Sequence, residues 1–123
     1  MTGVKELKKG DYILHRGQPY RVVGKENVTV GTHMHQKVKL SVEGAFSGAK
    51  EVLTLASHEN LQDVEFVRKV GQLISKQPLQ VMDLVSYETL NAQADEEVAS
   101  SLNEGDTVTF AEFQGKVIVL GKK

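Results

Sequence analysis

The sequence predicts an all-β chain folded as two small barrels. Three observations carry this. Short strand-like runs follow one another, broken by glycine turns. Helical spacing occurs in a single late stretch. The charge balance also reverses along the chain. Residues 1–70 hold 11 Lys/Arg against 8 Asp/Glu (+3), and residues 71–123 hold 4 against 8 (−4). A basic part followed by an acidic part predicts two units with different surfaces. With 123 residues, 40% hydrophobic and 25% charged, the chain has enough apolar residues to offset chain entropy.

The elements follow in order. Asp11 to His15 is a strand, Arg16-Gly17-Gln18 a turn, and Pro19 to Val23 a second strand. Pro19 falls at its start, where a missing N–H does least harm. Gly24 to Thr29 leads outward to an exposed tip at Gly31 to Gln36. Lys37 to Glu43 alternates: Val38, Leu40 and Val42 face one way, and Lys37, Lys39, Ser41 and Glu43 the other. That is the period-two pattern of a half-buried strand. Gly44 and Gly48 bracket a turn, and Glu51 to Leu55 and Val64 to Arg68 are further strands.

The charge reversal at Lys69-Val70-Gly71 predicts a boundary, giving units 1–69 and 70–123. Beyond it, Leu73-Ile74, Leu79 to Val85 and Tyr87 to Leu90 are strand-like. Asp95 is placed to cap one short helix, with Val98 and Leu102 on one face and Asn103-Glu104-Gly105 at its end. Thr107 to Phe113, a Gln114-Gly115 turn and Lys116 to Leu120 form a closing hairpin.

Several functional classes are excluded. No cysteine is present, so disulfides, thiolate metal sites and a cysteine nucleophile are absent. No run reaches the roughly 18 apolar residues of a membrane span, and the first residues lack an apolar signal core, so a cytoplasmic protein is expected. There is no phosphate-cradling glycine loop and no nucleophile elbow. Glu96 and Glu97 beside Asp95 favour the N-terminal end of the helix dipole. His33-x-His35 has the spacing of two ligands on an extended strand, but no third ligand is placed, so no metal is expected. No enzyme activity and no cofactor are expected. Lys37 and Lys39, with Arg21 and Lys25 on the preceding arm, are candidates to track a phosphate backbone. Tyr87, Phe110 and Phe113 are candidates for base stacking, although filling the interior is the expectation for them.

Several segments resemble the translation factor 5A family of archaea and eukaryotes. They are Leu7-Lys8-Lys9-Gly10-Asp11-Tyr12, Gly17-Gln18-Pro19-Tyr20-Arg21-Val22-Val23, Gly44-Ala45-Phe46-Ser47-Gly48 and Met82-Asp83-Leu84-Val85-Ser86-Tyr87-Glu88-Thr89-Leu90. The tail from Gly105 to Lys123 resembles the family's closing hairpin. The resemblance spans nearly the whole chain in order. It implies an SH3-like barrel over 1–69 with a projecting loop at 27–37, followed by an OB fold over 70–123 with one short helix. It also implies a cytoplasmic elongation-type factor that binds the ribosome or RNA, with no membrane partner.

Family members carry a lysine at the loop tip that is converted to hypusine, in a loop reading Thr-Gly-Lys-His-Gly-His-Ala-Lys. The matching residues are Val30-Gly31-Thr32-His33-Met34-His35-Gln36-Lys37. Gly31, His33, His35 and Lys37 match, Thr32 falls on the modified lysine, and Met34 falls on the glycine. Thr32 has a hydroxyl on a β-branched carbon and no amine, so it cannot receive the aminobutyl group. It also lacks the reach of a cationic arm. The expectation is a ribosome- or RNA-binding protein with tip residues Gly31, Thr32, His33, Met34 and His35 and without hypusine. The alternative is a self-assembling structural protein, as in fungal Woronin-body cores related to this family. Monomer and weak dimer both remain open.

Overall fold

The computed structural model describes residues 1–30 and 35–123. Two compact units are present, Met1–Val64 and Glu65–Lys123. Both are built from strands, and the described residues contain one α-helix. No helix among the described residues is long and apolar enough to cross a membrane.

The first unit contains β1 (Thr2–Gly3), a 3-10 turn (Val4–Glu6), β2 (Tyr12–His15), β3 (Gln18–Val30), β4 (His35–Gly44), β5 (Lys50–Ala56) and β6 (Asn60–Leu61). Strands β2-β3-β4-β5 form an antiparallel sheet, and β1 pairs with β6. The alternation read from Lys37 to Glu43 is present. Val38, Leu40 and Val42 are buried with Val4, Leu7, Ile13, Tyr20 and Val22 in one core. Each such side chain contributes roughly 1.5–3 kcal/mol by leaving water. Two-residue strands such as β1 and β6 leave no periodic signal, and neither was expected.

The second unit contains β7 (Val67–Lys76), β8 (Leu79–Asp83), β9 (Thr89–Asn91), α1 (Glu96–Ser101), β10 (Thr107–Phe113) and β11 (Lys116–Lys122). Its sheet runs β11-β10-β7-β8-β9. The core is Leu73, Val81, Leu102, Val108, Phe110, Val117 and Val119, with Val98 of α1 packed against it. Asp95 caps α1 as its sequence position predicts: Glu97 N donates to Asp95 Oδ2 at 3.1 Å.

Two expectations change. The strand expected at Pro19 to Val23 continues through Gly24 in β3, and Gly71, at the boundary drawn from the charge reversal, lies inside β7. Both serve as irregular or crowded positions within a ladder. The charge reversal at 69–70 therefore falls within β7, and the division between units lies at Val64/Glu65. Backbone pairing decides membership there: Val67 to Gln72 pair with Glu112 to Thr107 of β10. The strand expected at Tyr87 to Leu90 begins at Thr89.

Candidate nucleic-acid interface

The longest pairing in the first unit is the β3–β4 ladder, which runs from Tyr20 opposite Gly44 out to Val30 opposite His35. Residues directly opposite in an antiparallel ladder share a face. Arg21 lies opposite Glu43, and Lys50 of β5 lies opposite Glu43 in turn. Lys39 lies between Glu26 and Thr54, and Lys37 between Val28 and Ala56. Arg21, Lys37 and Lys39 thus occupy the face opposite the buried Val38, Leu40 and Val42. That face holds four cations (Arg21, Lys37, Lys39, Lys50) against two carboxylates (Glu26, Glu43). Lys37 and Lys39 are separated by about 7 Å, two residues of strand rise.

Lys25 does not join them. The register shifts between Val22 and Gly24, leaving Val23 as the extra residue of a bulge. One extra residue exchanges the two faces for everything beyond it. Lys25 therefore lies opposite Leu40, on the core row. Its ammonium turns back to the N-terminal segment, donating to Lys5 O at 2.5 Å and Leu7 O at 3.2 Å. Simple alternation puts Arg21 and Lys25 on one face; the bulge separates them. A lone glycine after two valines was the available sign of it.

At the other end of the sheet, Arg16 and Gly17 have φ of 53° and 74°, as a two-residue hairpin turn of the primed kind requires. The turn presents a polar cluster that the sequence did not reveal. Buried Tyr20 donates its hydroxyl to Glu51, while His15 Nε2 and Arg16 Nη2 each lie 3.5 Å from Glu51 Oε1. The hydrogen bond from Tyr20, with Arg16 and His15 beside it, holds the Glu51 carboxyl below its ordinary pKa. The same bond raises that of Tyr20. The His15 ring meets Tyr20 edge-on at 5.0 Å. His15 belongs to β2 and Glu51 to β5, so the sheet curls until its two edge strands touch.

Gly31, Thr32, His33 and Met34 lie outside the described residues. His35 opens β4 in register with Val30. Among the described residues no three His, Cys, Asp or Glu side chains converge to hold a metal.

In the second unit the three aromatic candidates separate. Phe110 is in the core, as expected. Phe113 meets Phe66 edge-on at 6.4 Å. Tyr87 does not fill the interior: it is 72% exposed, at φ 63°, in the turn between β8 and β9.

No family model matches the chain. It is 34% identical over 124 residues to translation initiation factor 5A of Methanopyrus kandleri, covering 98% of this chain and 91% of that protein. It is 33% identical to the factor of the same name from Thermococcus kodakarensis, covering 93% of this chain and 88% of that protein. Among solved structures it resembles eukaryotic translation initiation factor 5A from Methanococcus jannaschii. There the TM-score is 0.67 and the identity 26%, over 96% of this chain and 90% of that one.

Proposed function

The chain belongs to the translation initiation factor 5A family, and from that premise we propose that it binds the ribosome or its RNA through the β3–β4 arm, without hypusine. The observation that carries this reading is the placement of Arg21, Lys37 and Lys39 on the outer face of the sheet, where β4 pairs with both β3 and β5. Such a face meets a phosphate backbone edge-on and supplies charge without base specificity. Thr32, His33 and Met34 form the tip in this reading. The short hydroxyl of Thr32 replaces a long cation, so hypusine-dependent stimulation of peptide-bond formation is lost. Lys25 is a strut of the first unit rather than a phosphate contact in this reading, because its ammonium is held against Lys5 O and Leu7 O, away from Lys37 and Lys39.

Sedimentation with purified ribosomes across a salt series tests it. Affinity is expected to fall steeply between about 50 and 200 mM salt as counterions are released. Replacing Lys37 and Lys39 by glutamate should weaken binding and flatten the plot of log K against log salt, by about 0.7–0.9 per lost contact. Lys25→Met should leave that slope unchanged. Salt-independent binding would overturn the reading. Intact-mass measurement of native protein should find no added mass on a lysine of residues 1–64.

Self-assembly is the second reading. Val52 is 62% exposed on β5, an edge strand of its sheet. Light scattering that rises with concentration, at salt where ribosome binding is abolished, favours assembly; a constant monomer mass excludes it.

A further inference from the structure

Strand β3 leaves the core of the first unit partway along its length. Tyr20 and Val22 belong to that core, and among the described residues no side chain of β3 beyond Val22 does. Past the bulge at Val23, Lys25 and Asn27 lie opposite the buried Leu40 and Val38, on the row that carries the core in β4, yet both are exposed. Packing into that core therefore does not hold β3 beyond its bulge, and a bulge is where a strand bends. Polar tethers flank it instead. Before the bulge, Val22 N donates to Asp11 O at 2.8 Å, and Gly10 N donates to Val22 O at 2.8 Å. After it, the Lys25 ammonium donates to Lys5 O and, at 3.2 Å, to Leu7 O. All four partners lie in one stretch of chain, residues 5–11.

That stretch is a firm support. Val4 and Leu7 are buried in the core, and Val4 N donates to Glu59 O at 2.9 Å. Asp11 Oδ2 accepts from Lys8 N at 2.9 Å, and Asp11 N donates to Lys8 O at 3.0 Å. Lys5 O belongs to the 3-10 turn Val4–Glu6, and carbonyls at the end of a helical turn lack an internal donor and favour a cation. Fixing a lysine there costs rotamer freedom that a solvated side chain keeps. The next residues of β3 carry the outward cations with them: Glu26 pairs with Lys39, and Val28 with Lys37. We propose that Lys25 is a positioning residue. It locks the bend at the β3 bulge and so sets the direction in which residues 26–30, with their partners 35–39, leave the first unit. Its effect on binding rests on the ribosome reading above, whereas the positioning is a property of the free protein.

Residual dipolar couplings of the full chain's backbone amides test it. In Lys25→Met the couplings of residues 26–30 and 35–39 should no longer fit the orientation they have in the parent, while those of residues 12–15 and 50–53 still share one frame. Lys25→Arg, whose fork of N–H groups can serve both carbonyls, should restore the parent's couplings. Couplings in Lys25→Met that keep the parent's orientation overturn the proposal. Should Lys25→Met not fold, a measurement on the parent decides. Reductive methylation should modify Lys25 about five- to tenfold more slowly than Lys37 and Lys39, because only the released fraction of its ammonium reacts. Equal rates overturn the proposal. With purified ribosomes, Lys25→Met should weaken affinity about five- to tenfold at every salt concentration, as when about 10–20% of molecules hold the binding orientation, and Lys25→Arg should restore it. A changed salt slope would make Lys25 a phosphate contact and overturn the proposal. Unchanged affinity, where Lys37 and Lys39 replaced by glutamate weaken binding, overturns it too. If those two replacements leave ribosome binding intact while the couplings respond to Lys25, the ribosome reading fails and the positioning stands.

Discussion

A methyl group added at Gly71 has no room. Its carbon would lie 2.5 Å from Val81 Cγ2, 2.9 Å from the Met82 carbonyl oxygen and 2.9 Å from Phe110 Cδ1. One of these is backbone and another is the ring of a fully buried side chain, so neither yields cheaply. Gly71→Ala should therefore destabilise the second unit by about 1–3 kcal/mol in urea denaturation, the usual cost of overpacking. Asp83 gives a second prediction. The amide of Val85 above all, then that of Ser86, with Lys69 nearby, hold its carboxyl below the usual carboxylate pKa against the opposing effect of burial. A lowered folded-state pKa contributes stability above the unfolded value of about 3.9, and that contribution disappears as pH falls through the folded value. Asp83→Asn should thus be less stable than the parent at pH 7, and the gap should close as pH falls below about 4. A gap that stays constant down to the acid transition would show that the charge of Asp83 is not what matters.

At the level of elements, the bulge in β3 decides which cations can act together. Beyond Val22 the strand's two faces exchange, so Lys25 becomes a strut to the segment before β2 while Lys37 and Lys39 stay outward. Lys25→Met removes two donated hydrogen bonds and should cost the first unit about 1–3 kcal/mol. Amide exchange at Val4, whose N–H reaches Glu59 O at 2.9 Å, should become faster. Unchanged exchange there would show that the strut bears no load. The outward row of β4 was legible in the sequence because period-two alternation over Lys37 to Glu43 is a local signal. The separation of Lys25 from Arg21 was not, because a bulge is a property of the pairing between two strands. The Glu51 cluster was illegible for a related reason: His15 and Glu51 meet only because the sheet curls.

For the whole molecule, two compact units with their own buried clusters imply separable stability. Phe110→Ala should lower the protection of the slowest amides in residues 65–123 by about 3–5 kcal/mol while those of residues 1–64 hold, as read by native-state hydrogen exchange. Loss of protection in both units together would contradict two separate cores. The sequence by itself determined the all-β class, the alternating core face of β4, the capped helix after Asp95 and the family. Each of these is written in neighbouring residues or in the order of segments along the chain. Only the tertiary structure decided that the unit boundary precedes the charge reversal, that Lys25 turns back to the N-terminal segment, and that Tyr87 stands in solvent while Phe110 is buried. Those outcomes depend on which strand pairs with which, in what register, and on where a buried carboxylate finds its donors. Residues far apart in sequence settle such questions jointly, and no local pattern carries them.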